Sequence, residues 1–251
     1  NVAVGYNAGI SMTTGTHNVL MGAFTGDALT TGTYNVAIGR SALSTEDGHG
    51  FNVAVGAFAL LNQNAGADAH NVAVGYAAGE DVTTGTQNTL IGGNAGDALT
   101  TGTSNIALGY RALTTEDTGS RNVAIGDNSL AALNYDGNGY NTAVGFYSGA
   151  AMTTGIQNTL IGALAGDSLA GGSQNVAVGM YALSTEDTHG KNVAVGYSAL
   201  VVQNAGADAY NTAVGYNAGG SVTTGTQNTI IGGDAGDALT TGTSNIALGY
   251  R

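Results

Sequence analysis

One short pattern of polar and apolar residues recurs along the whole chain. It consists of an asparagine, a β-branched residue, two apolar residues and a glycine. The pattern begins at Asn1, Asn18, Asn35, Asn52, Asn71, Asn88, Asn105, Asn122, Asn141, Asn158, Asn175, Asn192, Asn211, Asn228 and Asn245. Successive asparagines are 17, 17, 17 and 19 residues apart, and this 70-residue cycle then repeats. The repeat leaves no residues for a linker, so we expect one continuous segment over residues 1–251.

The length of the repeat favours one architecture. A unit of 17 residues is too short for a pair of helices or a propeller blade, but it suits one coil of a β-solenoid. Each coil would lay its strand on the strand before it, which builds a parallel sheet with a spacing of about 4.8 Å. The sequence therefore predicts an all-β fold, a parallel β-solenoid (β-roll) of about 15 coils of 17 or 19 residues.

The predicted strand is apolar on both faces. If the asparagine is position 1 of each coil, positions 2 to 4 carry apolar residues, with Thr the only polar residue at position 2. A strand with one face in water would alternate apolar and polar residues. One face should therefore line the interior, and the other should be covered by the same chain or by neighbouring chains. We favour neighbouring chains, because so short a coil has little left to cover its own outside, and we expect a homo-oligomer.

Two positions of the coil are occupied by the same residue throughout. Position 5 is glycine in all fifteen coils, which indicates a corner that needs a positive φ or has no room for a Cβ. These corner glycines are Gly5, Gly22, Gly39, Gly56, Gly75, Gly92, Gly109, Gly126, Gly145, Gly162, Gly179, Gly196, Gly215, Gly232 and Gly249. The asparagine at position 1 indicates either a ladder of amides bonded from coil to coil or a row of ligand-binding side chains. We favour the ladder, since a binding site does not need fifteen copies.

Positions 9 and 12 vary in a correlated way. The first two coils of each 70-residue super-repeat have glycine at position 9 and an apolar residue at position 12, as in Gly9 and Met12. The last two coils have leucine at position 9 and, in most cases, Glu or Gln at position 12, as in Leu43 and Glu46. This exchange predicts that each layer of the core needs one further large apolar group, supplied from either position.

Composition and charge exclude several classes of protein. The chain has 43 glycines, no cysteine and a formal net charge of -12, with only 5 basic residues, which are scattered. Nucleic acids and anionic membranes need clustered Lys and Arg, so neither is an expected partner. The chain has no disulfide framework, and no stretch is apolar enough to insert in a membrane. The first residue already lies inside a repeat, so we expect a fragment of a longer repeat protein.

Candidate metal sites are weak at the level of sequence. The densest carboxylates are the Thr-Glu-Asp triplets and the aspartates of the longer coils, and oxygen ligands of this kind suit calcium. These are residues 45–47, 115–117 and 185–187, together with Asp68, Asp136 and Asp208. The glycine-aspartate nonapeptide of calcium-binding β-rolls is absent, and acidic loops are commonly solvated surface. The histidines (His17, His49, His70 and His189) show no partner spacing for zinc, so we expect exposed turn residues, no metal and no cofactor.

Catalysis and ice binding are two further alternatives. An enzyme needs a unique constellation of residues in a cleft, whereas here every candidate residue type recurs and no insertion exceeds two residues. We therefore predict that the chain is not an enzyme. Ice binding would need an uninterrupted threonine array, but the Thr-Thr-Gly runs occur in two coils and are replaced in the next two.

The segments 1–9 (NVAVGYNAG), 35–43 (NVAIGRSAL), 192–200 (NVAVGYSAL) and 211–219 (NTAVGYNAG) carry a family resemblance. They resemble the head repeats of YadA-like trimeric autotransporter adhesins, and also repeats in tail-fibre-like proteins of phages and large bacterial surface proteins. The resemblance covers every coil, although the adhesin heads have shorter coils. It implies a left-handed β-roll, three chains about a common axis, and attachment to surfaces.

Together these features predict a shaft or head segment of an extracellular fibre on a cell or virion surface. Its work would be attachment or spacing, as part of a surface adhesin, and its partner a host-surface receptor or glycan. Two alternatives stay open: a segment of a phage tail fibre, and the subunit of a self-assembling extracellular filament.

Overall fold

The computed structural model describes residues 1–251 and confirms the predicted fold class. The chain is an all-β, parallel β-solenoid of about 15 turns, and every strand consists of positions 2 to 4 of a coil. It contains no helix, and hence none of membrane-spanning length. The chain divides into two compact units, residues 1–122 and 123–251.

The strands of the first unit are β1 (Val2–Val4), β2 (Val19–Met21), β3 (Val36–Ile38), β4 (Val53–Val55), β5 (Val72–Val74), β6 (Thr89–Ile91) and β7 (Ile106–Leu108). Those of the second unit are β8 (Val123–Ile125), β9 (Thr142–Val144), β10 (Thr159–Ile161), β11 (Val176–Val178), β12 (Val193–Val195), β13 (Thr212–Val214), β14 (Thr229–Ile231) and β15 (Ile246–Leu248).

Equivalent positions of neighbouring coils lie above one another. In β2 and β3, for example, Leu20 pairs with Ala37 in a parallel arrangement. The register survives the longer coils, because Val53 pairs with Val72 across a spacing of 19 residues. The additional residues of that coil lie in a turn whose residues 66–68 are exposed. A longer coil therefore changes the surface of the solenoid without displacing its sheet.

The two faces of the strands have different environments. Position 3 points into the solenoid, so that Leu20 and Ala37 are fully buried. Positions 2 and 4 point outward, and Val4 and Ile38 keep 56% and 36% of their surface exposed. We call the outward side chains of positions 2 and 4 the outer face. The outer face is apolar in every strand apart from the threonines at position 2, and the chain itself leaves it partly uncovered.

The turns of each coil use left-handed backbone at residues other than glycine. Position 7 has a positive φ in every coil, as at Phe24, and so does position 9, whether it is Gly26 (φ 51°) or Leu43 (φ 52°). This conformation costs an L-residue about 1–2 kcal/mol. The same residues bond to the neighbouring coils, since the N–H of Phe24 donates to the Tyr6 carbonyl at 2.8 Å. Coil-to-coil hydrogen bonds therefore continue around the turns and offset part of the strain.

Candidate functional site

The asparagines at position 1 form a buried ladder within each unit. The backbone N–H of Asn35 donates to Oδ1 of Asn18 at 2.9 Å, so each side chain accepts a bond from the next coil. The Nδ2 of Asn18 donates to the Gly32 carbonyl at 2.8 Å within its own coil. Both ends of the amide are thus used by the backbone, and the side chain is hidden from solvent. This arrangement stabilises the coils and offers no polar group to an external ligand.

The corner glycines meet both conditions that position 5 indicates. Gly22 has a φ of 141°, and a Cβ on it would lie 2.5 Å from the carbonyl oxygen of Gly39 in the next coil. Side chains essentially never approach a backbone atom so closely. The glycine column therefore sets how tightly successive coils can stack at this corner.

The variation at position 9 is explained by position 3 as well as by position 12. The second coil of each super-repeat has a large residue at position 3, such as Leu90, where most coils have alanine. A Cβ on Gly96 would lie 2.8 Å from Cδ2 of Leu90, and a Cβ on Gly79 would lie 2.6 Å from its Cδ1. The next coil reverses the pair, with Ala107 at position 3 and Leu113 at position 9, both fully buried. The interior is thus filled from alternate sides.

The threonine runs also serve the stacking of coils. The hydroxyl of Thr83 donates to the carbonyl of Thr100 at 3.2 Å, and the hydroxyl of Thr100 donates to the carbonyl of Asp117 at 3.0 Å. The first threonine of each run therefore bonds to the coil that follows.

The acidic triplets differ from the solvated loops expected from the sequence. Asp47 is exposed, but the preceding Glu46 is fully buried, and so are its counterparts Glu116 and Glu186. These glutamates occupy position 12, which apolar residues fill in the coils before them. Sequence reasoning assigned the whole triplet to the surface because charged residues are rarely buried. The periodicity itself contained the correct signal, since position 12 is an interior position.

Burial perturbs the ionisation of one of these carboxyl groups. Loss of hydration raises the pKa of Glu186 to about 7, against a hydrogen bond from the His189 backbone that lowers it and the nearby charge of Asp187 that raises it. Burial disfavours a charged carboxylate, so the direction is the one expected from its position.

The four histidines fall into two groups. His17 and His70 are exposed and stack on a ladder of aromatic rings, with His17 at 4.7 Å from Tyr34 and His70 at 5.1 Å from Phe51 between ring centres. His49 and His189 are instead half-buried, so the expectation of exposed turn residues is wrong for these two.

Each half-buried histidine lies beside a buried glutamate. The Nδ1 of His49 is 3.4 Å from Oε1 of Glu46, and the Nδ1 of His189 is 3.8 Å from Oε1 of Glu186. The sequence contains this spacing as Glu-x-x-His, but its histidines and carboxylates were considered separately. The pairing was missed for that reason, although it is visible in residues 46–49 and 186–189.

Buried polar atoms without a hydrogen-bond partner are concentrated in the same places. They are Oε2 of Glu46, Nδ1 of His49, Nδ2 of Asn52, Nε2 of Gln63, both carboxylate oxygens of Glu186, Nδ2 of Asn192 and Nε2 of Gln203. All of them belong to the third and fourth coils of the first and third super-repeats. Native proteins leave few buried polar groups unpaired, so this concentration needs an explanation.

The exposed charges form one notable ion pair. The Nζ of Lys191 donates to Oδ2 of Asp208 at 2.6 Å and to the Tyr210 hydroxyl at 3.1 Å. The bond from Lys191 holds the pKa of Asp208 below its usual range, and the Asp208 carboxylate raises the pKa of Lys191. The pair is exposed, so salt and water screen it and its effect on stability is small.

The structure contains no pocket. Comparison of the chain with protein-family models, with curated proteins and with solved structures finds no match.

Proposed function

We propose that this chain is a structural segment of an extracellular fibre, in which three copies associate through their outer faces. The observation that supports the proposal is the outer face itself, whose Val, Ile, Leu and Met side chains lie in register from strand to strand. Met21 pairs with Ile38 and Ile38 with Val55, and Met21 and Ile38 are partly in water. An apolar surface of this kind on a soluble chain marks an interaction site.

The work of the segment is to hold an attachment surface away from its base, or to form that surface. Its stability is close to a sum of terms between neighbouring coils, which lets such a segment be long without a large core. The resemblance of its repeats to adhesin heads supports display outside the cell or on a virion, and a host-surface glycan or receptor as the partner. Catalysis is not part of the proposal, because every candidate residue type recurs along the chain.

The oligomeric state tests the proposal directly. Sedimentation velocity should give about 74 kDa, three times the 24.6 kDa of one chain. Replacing the outward Ile38 and Ile91 by aspartate should place charge in the interface and give the mass of one chain, with the circular dichroism of the strands retained. The matched control is Thr101→Asp, which adds charge at an exposed position outside the outer face. A monomeric wild-type chain would contradict the trimer.

Attachment and spacing are separated by a binding measurement. The trimeric chain on a glycan array should retain one class of glycan if the segment itself attaches, and none if it acts only as a spacer. Wild-type and Thr101→Asp chains should behave alike in this experiment.

A further inference from the structure

Two clusters of side chains place three metal-ligating groups together. Glu46, Asp47 and His49 each offer one ligand atom, and these three atoms lie within 4.8 Å of one another. Two super-repeats later, Glu186, Asp187 and His189 repeat the arrangement within the same distance. We call these the first and the second cluster.

The buried member of each cluster lacks the partners that a carboxylate needs. Glu46 has no exposed side-chain surface, and its Oε2 accepts no hydrogen bond. The Nδ1 of His49 is also buried without a partner. In the second cluster, both oxygens of Glu186 are unpartnered, including the Oε1 that faces His189. Burial of an unpaired polar or charged group costs several kcal/mol, which a bound cation would remove.

The spacing of the ligand atoms fits a small divalent ion. Zinc lies about 2.0–2.2 Å from histidine nitrogen and carboxylate oxygen, so two ligands of a tetrahedral site are about 3.3 Å apart. The separations of Nδ1 and Oε1 are 3.4 Å in the first cluster and 3.8 Å in the second. An imidazole ligand favours zinc and its neighbours over calcium, which takes oxygen ligands only. Asp47 is exposed and His49 is half-buried, so an ion can enter from solvent.

The middle super-repeat supplies an internal comparison. Its equivalent segment has Gly119 where the other two have histidine, and Oε1 of Glu116 accepts the Gly119 N–H at 2.7 Å. Most other coils also have glycine here, because a Cβ on Gly15, for example, would lie 2.5 Å from the Gly32 carbonyl oxygen. A Cβ on Gly119 would meet only the side chain of Glu116, so the position before a longer coil has room for a side chain.

We propose that each cluster binds one divalent ion of the zinc class through histidine Nδ1, the buried glutamate and the aspartate, with water completing the coordination. The middle super-repeat, which lacks the histidine, binds none. Each ion fastens the turn of a 17-residue coil that precedes a 19-residue coil. The inference does not depend on the proposed function, since it concerns the single chain.

Equilibrium dialysis of the tag-free, chelator-treated chain against Zn²⁺ tests the proposal. Two ions per chain are expected for the wild type, one for His49→Gly, one for His189→Gly and none for the double variant. Glycine is the residue that the chain itself has at position 119, so these variants retain the backbone. His17→Gln, which alters an exposed histidine without a nearby carboxylate cluster, should still bind two ions. A wild type that binds no zinc, or a double variant that still binds two ions, would overturn the proposal.

Thermal unfolding provides a second measurement that does not rely on stoichiometry. Ligands that bind only the folded state raise the melting temperature, so Zn²⁺ should raise that of the wild type. The double variant His49→Gln/His189→Gln keeps the volume of both side chains and should show no such increase. An equal increase in this variant would place the bound zinc elsewhere and contradict the assignment.

Discussion

The asparagine at position 1 acts through two hydrogen bonds that no other side chain of its size supplies together. Asn88 accepts the N–H of Asn105 at 2.9 Å and donates to the Gly102 carbonyl at 2.9 Å, and it is fully buried. The amide oxygen therefore joins two coils, while the amide nitrogen closes the turn of its own coil.

Asn88→Ala should leave a buried N–H and a buried carbonyl unpaired. Each unsatisfied group costs about 1–3 kcal/mol, so we expect a loss of about 2–4 kcal/mol in the free energy of unfolding by urea. The matched control is Asn245→Ala, because Asn245 is exposed at the last rung of the ladder and its loss should cost less than about 1 kcal/mol. Equal losses for the two variants would contradict a load-sharing ladder.

The corner glycines allow steric crowding to be separated from backbone strain. Gly92 has a φ of 136°, and its Cβ would lie 2.3 Å from the Gly109 oxygen, whereas Gly66 has a φ of 69° with no atom within 4 Å. Gly92→Ala should therefore destabilise the chain by about 3 kcal/mol or more, from strain and overpacking together. Gly66→Ala should cost only the strain of about 1–2 kcal/mol. Thermal unfolding of both variants measures the difference, and comparable melting temperatures would refute the crowded corner.

The raised pKa of Glu186 predicts a pH dependence for the metal-free chain. The folded pKa of about 7 exceeds the value of 4.5 expected for an exposed glutamate, so the folded state binds the proton more tightly. The stabilising contribution of the proton is present below about pH 4.5 and is lost as the pH rises through 7, with a total on the order of 1–3 kcal/mol. Urea unfolding in a chelator should show this decline in the wild type and a smaller one in Glu186→Gln. Asp127→Asn, at an exposed carboxylate, should keep the wild-type slope, and an unchanged slope in Glu186→Gln would contradict the assignment.

At this scale the sequence predicts some features and conceals others. Asparagine and glycine recur without exception, so the ladder and the corner could be placed from their positions alone. The left-handed backbone of Leu43 and Phe24 could not, because bulky residues disfavour that conformation and only the surrounding coils impose it. The burial of Glu46 was concealed by its charged neighbour Asp47, although its position in the coil is an interior one.

At the scale of one coil, the exchange between positions 3 and 9 balances volume. The sequence shows the exchange between positions 9 and 12, but the clash of Leu90 with a Cβ on Gly96 depends on the three-dimensional path of the turn. Periodicity reports which positions are interior, whereas it does not report which interior positions touch.

A double-mutant cycle tests this contact. Leu90→Ala should cost about 2–5 kcal/mol by leaving a cavity, and Gly96→Leu should cost about 2–4 kcal/mol by overpacking and left-handed strain. The double variant reproduces the combination of Ala107 and Leu113 in the next coil and should lose about 1–3 kcal/mol less than the sum. Urea unfolding of the four proteins gives the coupling, and simple additivity would show that the two side chains do not compete for one space.

At the scale of the molecule, the fold is a succession of neighbour contacts. Within each unit, strands contact only the strands that precede and follow them in sequence. The number and direction of the coils followed from the repeat alone, because a parallel sheet with one coil per strand is the only stacking compatible with so short a unit. The sequence did not reveal the two compact units, since the repeat shows no change between residues 122 and 123.

The super-repeat, more than the coil, should be the unit in which the chain tolerates removal. Deleting residues 71–140 removes one complete cycle and leaves the order of glycine and leucine coils unchanged. Deleting residues 88–104 removes a single coil, which keeps the asparagine spacing but takes away the Leu90 that fills the space beside Gly79. The smaller deletion should therefore lower the melting temperature more, by the cost of a cavity of about 2–5 kcal/mol. Circular dichroism during heating measures both variants, and a lower melting temperature for the larger deletion would argue against this.

The 70-residue phase also has a genetic consequence. Unequal recombination between two copies of the encoding DNA adds or removes one whole cycle, and each such product joins coils that already fit one another. Natural relatives of this gene are therefore expected to differ in length by multiples of 210 base pairs, and changes of 51 base pairs should be rare.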